Sequence, residues 1–287
     1  MSATVAGTGA KRRYGPSAFG DDLRRFWALT LTLATTEFKL RYFGSVLGYF
    51  WSLVRPLLFF GVLYAFFTVV LNLGQGVPHY PVYLLSSIVL WTFFTETTNG
   101  CVQCLLAREG LLRKMRFPRL VIPLSVALTA VFNLAANFVA VLAFALASGV
   151  EVRWSWLELA PLLLLLATLA IGVGMLLSSL YVRYRDIQPI WEVVVQALFY
   201  GSPIIYVAAQ YAEKGGDRIM HAAVTLNPIA TLLTQSGHAF VDASFPTAAT
   251  AAGGGARLLI PLAIVAATFA LGLWVFSREA PRIAEHL

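Results

Sequence analysis

From Leu120 to Ala147 the chain carries no charged side chain, and five other stretches are nearly as apolar. These runs constrain the fold more than any motif does. About 20 helical residues cross the roughly 30 Å hydrocarbon core of a bilayer, and a water-soluble domain has no use for six such segments. The candidate spans are residues 52–73, 80–104, 120–147, 157–182, 190–211 and 258–276. Charged residues make up only 12% of the 287, and the mean hydropathy is +0.74, against about 25% charged in ordinary globular domains. So few charges cannot cover a soluble surface. That excludes a secreted soluble enzyme, a disordered chain and a typical nucleic-acid binder. No segment alternates with the period of a membrane barrel strand. The fold class expected is an all-α integral membrane protein: six transmembrane helices, an N-terminal interfacial amphipathic helix and short re-entrant helices on the external side.

Orientation follows from the basic residues. All but four of the 21 lysines and arginines fall in one alternating set of segments, and only Arg153, Lys214, Arg218 and Arg257 fall in the other. Both termini are therefore expected in the cytoplasm, and an even number of spans agrees. Residues 1–20 hold Lys11-Arg12-Arg13 without an apolar core or cleavage site behind them, so the first span is expected to insert by itself. The expected organisation is a disordered cytoplasmic tail (1–20), an amphipathic helix and approach (21–51), a six-span domain (52–277) and a cytoplasmic C-terminal tail (278–287).

Three segments outside the spans carry more information than the spans. In residues 21–43, Leu23, Phe26, Trp27, Leu31, Ala34 and Phe38 recur at three- and four-residue steps, with Arg25, Thr32, Thr36 and Lys39 elsewhere around the wheel. The pattern suits a helix lying in the membrane interface; a soluble N-terminal helix is the plainer alternative. The basic loop 105–118 has room for one short helix before Pro118 stops it. The external stretch 212–256 is long for a connection. Its apolar middle is broken by Asn227-Pro228 into halves too short to span, which suits two re-entrant or interfacial helices.

A Walker phosphate loop needs Gly-Lys followed by Ser or Thr, and none of Lys11, Lys39, Lys114 and Lys214 follows a glycine. Any energy must come from a partner or a gradient. A gradient-driven carrier places ionisable groups at mid-membrane, and here Glu96 and Glu192 are the candidates. A charge there costs roughly 2.5–3.5 kcal/mol on insertion scales, so Glu96 is expected to face protein or a wet cavity, either packing among its threonines or serving proton coupling. Cys101 and Cys104 are too few and too close for a disulfide framework, and no histidine falls nearby to complete a zinc set, so no metal site is expected. Aromatic residues crowd the first span (Phe59, Phe60, Tyr64, Phe67) and the fifth (Tyr200, Tyr206). They serve lipid contact and packing, or a surface along which sugar rings slide in shallow wells. Arg183-Tyr184-Arg185-Asp186 is either a positive-inside anchor or an elbow at an entrance.

The stretch Arg41 to Trp51 (RYFGSVLGYFW) with Arg55-Pro56-Leu57, then Arg113 to Arg119 (RKMRFPR) with Ile122-Pro123-Leu124, then Arg183 to Ile187 (RYRDI), and lastly Asn227-Pro228, resembles the permeases of polysaccharide-exporting ABC transporters, the Wzm, TagG and KpsM group. These matches are spread over residues 37–235, and jointly they are specific. The resemblance implies a homodimeric permease above two copies of a nucleotide-binding ATPase subunit, with Mg-ATP on that partner and no cofactor in this chain. It places ATPase coupling at Arg108, Glu109, Arg113, Lys114, Met115, Arg116 and Phe117, and external gate helices around Asn227 and Pro228. The first and fifth spans would line the conduit, with Phe59, Phe60, Tyr64, Phe67, Tyr200 and Tyr206 on its walls. The pyrophosphate of a lipid-linked polysaccharide would be met at Arg41, Arg55, Arg183 or Arg185, because guanidinium suits phosphate oxygens. The Ala- and Gly-rich composition and basic N-terminal extension are compatible with an actinobacterial source, where the cargo would be a cell-wall galactan; relatives carry O-antigen, teichoic acid or capsule. A drug or small-molecule exporter of the same superfamily is the competing reading. A membrane-embedded transferase would need clustered acids, and Glu151, Glu158, Glu213, Asp217 and Asp242 are scattered.

Overall fold

The computed structural model describes residues 23–42, 48, 50–70, 74, 76–110 and 118–279. Among them every regular element is helical. Helix α1 (Leu23–Tyr42) precedes α2 (Phe50–Ala65), which passes into a π-helical turn at Phe66–Val70. Helix α3 (Tyr80–Val102) is followed by the single turn α4 (Cys104–Ala107) and by α5 (Val121–Ala147). A 3-10 turn at Trp154–Glu158 introduces α6 (Leu159–Arg183), and α7 (Ile187–Tyr200) comes next. Helices α8 (Ala209–Leu226) and α9 (Pro228–Ser236), the short α10 (Ala248–Ala251) and α11 (Leu259–Glu279) complete the chain.

Among the described residues, four helical stretches are long and apolar enough to cross a membrane: Phe50–Thr68, Val121–Ala147, Trp154–Arg183 and Gly255–Glu279. They fall on the first, third, fourth and sixth spans expected from the sequence. The second expected span is α3, whose 23 residues give about 34 Å of helix. It is less apolar than those four, and it lies inside the bundle. Seventeen of its side chains are buried, and α2, α5 and α6 pack around it. Ser86, Ser87, Thr97 and Thr98 are buried there, and Thr97 and Thr98 donate to carbonyls one turn back.

The fifth expected span takes a different form. Helix α7 ends at Tyr200 after 14 residues, and residues 201–208 form an elbow before α8 begins. Pro203 lacks the N–H that would continue the helix. Two tyrosines of α3 hold the elbow: Tyr80 Oη donates to the Ile205 carbonyl at 2.6 Å, and Tyr83 Oη to that of Pro203. Ile204 and Ile205 are buried beneath it.

Helix α11 lies closest of all against α6. A methyl group on Gly272 would collide with the Gly172 carbonyl oxygen, and one on Gly172 would lie 2.8 Å from the Phe269 Cα. Small residues let membrane helices approach backbone to backbone. Similarly, Cys101 fills the space over Gly174; both cysteines are free and buried, and packing accounts for them. No group of three metal-ligating side chains occurs among the described residues.

Candidate functional site

Helix α1 is fastened to the bundle by charge as well as by packing. Phe26, Thr30 and Ala34 form its buried stripe, with Phe38 edge-on to Phe132 of α5 at 5.7 Å and Thr129 Oγ1 donating to the Ala34 carbonyl at 3.3 Å. Leu23, Trp27 and Leu31, which the wheel put on the same face, remain more than half exposed. The helix thus has two apolar flanks, one against protein and one open. Along the packed flank run two ion pairs. Arg41 pairs with Glu96 of α3, whose same oxygen accepts from Asn133 Nδ2 of α5 at 2.6 Å. Glu37 pairs with Arg108, at the end of α4. Burial pulls the Arg108 guanidinium down to about 10, still charged at neutral pH, and the Glu37 carboxylate beside it favours that charged form. Glu96 therefore has the basic partner that the spans alone did not supply, brought from the N-terminal helix. No periodicity argument pairs residues 55 positions apart.

Arg108 also donates to the Ile122 carbonyl at 3.4 Å. Glu109 is half-buried. The other coupling candidates, Arg113, Lys114, Met115, Arg116 and Phe117, lie outside the described residues, as do the tails 1–20 and 280–287. Around Arg108, a cluster of Phe26, Leu105, Ile122, Met175 and Phe276 gathers ends of α1, α4, α5, α6 and α11. Arg119, Arg183 and Arg278 each lie within two residues of a side chain packed in or against this cluster, namely Leu120, Val182 and Phe276. Arg183 and Arg185 are exposed, lying 5.4 and 5.3 Å from the ring centres of Tyr184 and Tyr181. Arg55 is exposed on the early part of α2.

The aromatic candidates divide into two groups. Phe59 and Tyr200 are 43% and 68% exposed, with Phe199 between them, 6.1 Å from Phe59 and 5.3 Å from Tyr200 between ring centres. Phe199 rests on Trp91 of α3 at 5.7 Å, so the pair sits on a rigid floor. Phe60 and Tyr64 instead stack on each other at 5.6 Å, and Phe60 leans on Phe144 of α5. Phe67 is half-buried, edge-on to Phe66. Tyr206 is tied down by its hydroxyl, which donates to the Tyr200 carbonyl at 2.7 Å and meets the Tyr211 hydroxyl at 2.6 Å. It caps the end of α7.

Sequence reasoning missed the polar row on α7. Gln188, Glu192 and Gln196 follow at four-residue steps and so share one face. Gln188 Nε2 donates to Glu192 at 3.1 Å and its oxygen accepts from Gln103. Glu192 and Gln196 are exposed, as are Ile190, Val193 and Tyr200. The four-residue spacing was available as a signal, but overall hydrophobicity hid it.

At the opposite end, Asn227 breaks α8 from α9. Its Oδ1 accepts from the Ile229 and Ala230 amides at 3.0 and 3.4 Å, and Pro228 occupies the first helical position, where a missing N–H costs nothing. Its Nδ2 donates to Ser202 Oγ at 2.9 Å and to the Gly201 carbonyl at 3.3 Å. One side chain thus joins α9 to the elbow that ends α7. Close by, His79 Nδ1 lies 3.4 Å from an Asp242 oxygen.

Comparison with known proteins gives concordant matches. The chain is 27% identical over 256 residues to the O-antigen export system permease protein RfbA of Myxococcus xanthus, covering 89% of this chain and 92% of that one. It is 26% identical over 215 residues to the protein of the same name from Klebsiella pneumoniae, covering 75% and 80%. The ABC-2 type transporter family matches residues 28–230, from the packed face of α1 through the elbow and Asn227-Pro228 into α9. The protein is a multi-pass membrane protein that belongs to the ABC-2 type transporter family.

Proposed function

We propose that this chain is the membrane subunit of an ATP-driven exporter that moves a lipid-linked polysaccharide outward, working as two copies above two ATPase subunits. The observation that carries the reading is the exposed face of α2 and α7, where Phe59 and Tyr200 stand beside the polar row Gln188, Glu192 and Gln196. Polar side chains in a membrane segment face protein or water rather than lipid. A second copy across a wet path satisfies that requirement. Flat rings then offer apolar contact to sugar C–H faces, and amides and carboxylates exchange hydrogen bonds with sugar hydroxyls. Conduction needs binding weak enough to permit release, and this mixture supplies shallow wells. The names of the relatives support a glycan cargo over a drug.

In this reading α3 and α7 are the second and fifth of six spans, both termini are cytoplasmic, and α8 and α9 re-enter the membrane from outside around Asn227-Pro228. Arg41, Arg55, Arg183 and Arg185 meet the pyrophosphate at the cytoplasmic face. Mg-ATP is bound by the partner subunit, and this chain makes no covalent step. The partner pushes on residues 105–118. The push reaches α1 through Arg108–Glu37 and α3 through Arg41–Glu96, so the elements move as rigid bodies.

The test is export of a fluorescent lipid-linked glycan from vesicles holding the permease and its ATPase. Alanine at Phe59 and Tyr200 together slows export at least fivefold while assembly survives. Unchanged flux would remove the conduit from this face.

A further inference from the structure

A cavity of about 210 Å³ lies between α6, α9 and α11. Its walls are Leu162 and Leu165, Leu232, and Leu262 and Val265, with Thr231 and Gln235 the polar members. Both polar side chains are already committed. Gln235 donates to Glu158 at 2.7 Å and accepts from the Ala248 amide at 2.9 Å, while Thr231 Oγ1 donates to the Val224 carbonyl. Nothing polar is left to hold a polar ligand. Apolar cavities of ~150 Å³ stay dry and take hydrocarbon, and this one is larger.

The cavity opens between two helices that are themselves long and apolar enough to cross the membrane. Leu262, a wall residue, is itself 44% exposed, so the opening reaches the outer surface of α11. It falls within the first two turns of α6 and of α11, about 9 Å along each. Arg257, exposed, stands one residue before the cavity wall resumes at Leu258, with one guanidinium nitrogen 3.2 Å from the Ala252 carbonyl. Such a group at the head of a hydrocarbon slot fits a phosphate. The chief packing partners of α11 are α6, α8 and α9, away from the α2 and α7 face assigned to cargo. A resident bilayer lipid therefore suits the cavity better than the cargo's own tail.

We infer that this cavity is a binding site for one acyl chain of an anionic phospholipid, whose headgroup phosphate meets Arg257. The chain fills the space beneath Leu232 and so props α9. Placing it in the outer leaflet, and α9 at a gate, rests on the function proposed above; lipid retention does not.

The full chain, purified and stripped of lipid, is incubated with dioleoyl-phosphatidylglycerol and read by native mass spectrometry. The wild type retains one lipid per chain. Leu262→Trp, which blocks the mouth, and Val265→Phe, which fills the interior, each lower retention at least tenfold. Leu164→Trp, on the outer flank of α6, retains as much as wild type. Arg257→Ala loses the preference for phosphatidylglycerol over neutral diacylglycerol. Equal retention in the monodisperse Leu262→Trp chain overturns the site, as does no retention by the wild type. Displacement of phosphatidylglycerol by equimolar undecaprenyl phosphate would assign the cavity to cargo and also overturn the inference. Export is measured separately, so a failed transport reading leaves the lipid result standing and the reverse also holds.

Discussion

Arg108 and Glu37 form a pair in which neither charge is fully wet, with side chains 15% and 30% exposed. Removing one partner from such a pair leaves the other buried and unmatched, which costs more than the pair contributes. Glu37→Ala is expected to destabilise the solubilised chain by about 1–2 kcal/mol, less than the 3–5 kcal/mol of a fully buried pair; a thermal unfolding midpoint measures it. The charge swap Glu37→Arg with Arg108→Glu restores most of that loss, and failure to do so would move the effect to packing. Asn227 gives a second handle. Asn227→Ala removes the cap of α9, for about 1 kcal/mol, and also the two bonds to the elbow. Asn227→Asp keeps the cap and loses only the donor, so a difference between the two variants in hydrogen exchange at residues 201–208 isolates the link between α9 and the elbow. The sequence marked Asn227-Pro228 as a break in an apolar stretch, and the family resemblance marked Arg108. It did not yield their partners. Glu37 and Ser202 are each far away in the chain, and only folding brings them near.

Among the elements, the limits of several spans were legible. The expected 120–147, 157–182 and 258–276 became Val121–Ala147, Leu159–Arg183 and Leu259–Glu279, because a charge or a turn ends each apolar run. The wheel of α1 was read as one apolar face, and the fold divides it: Phe26 and Ala34 go against α5, while Trp27 and Leu31 stay outside. Composition gives no direction to a neighbour, so that division was invisible. Helix α7 was expected to run on to residue 211, since Ile204, Ile205 and Val207 read as span residues; they are buried in an elbow instead. The Gly172 and Gly272 contact leaves no room for a side chain. Gly272→Leu is expected to separate α11 from α6 and to cost roughly 1–3 kcal/mol, as overpacking does. Cysteine cross-linking between positions 168 and 268 reports the separation, and cross-linking at wild-type efficiency would refute the close approach.

For the whole molecule, Arg108, Arg119, Arg183 and Arg278, each within three residues of the cluster around Phe26 and Phe276, are the basic residues on which the proposed orientation rests. Tags on both termini are expected to be protease-sensitive only in inverted membrane vesicles, and a cysteine at position 254 is expected to label only from outside. A terminus digested in intact cells would break the six-span count. Co-purification of an ATPase with Walker motifs is expected from native membranes, and its absence would remove the proposed motor.

The centre of the molecule is the most polar of its expected spans, and α3 comes early in the chain. Biogenesis bears the consequence. With Glu96 and its threonines, α3 partitions poorly into lipid on its own, and the helices that shelter it include α6, which ends eighty residues later at Arg183. The nascent segment is therefore expected to stay beside the insertion machinery until α5 and α6 have been synthesised, and to enter the bilayer already wrapped by them.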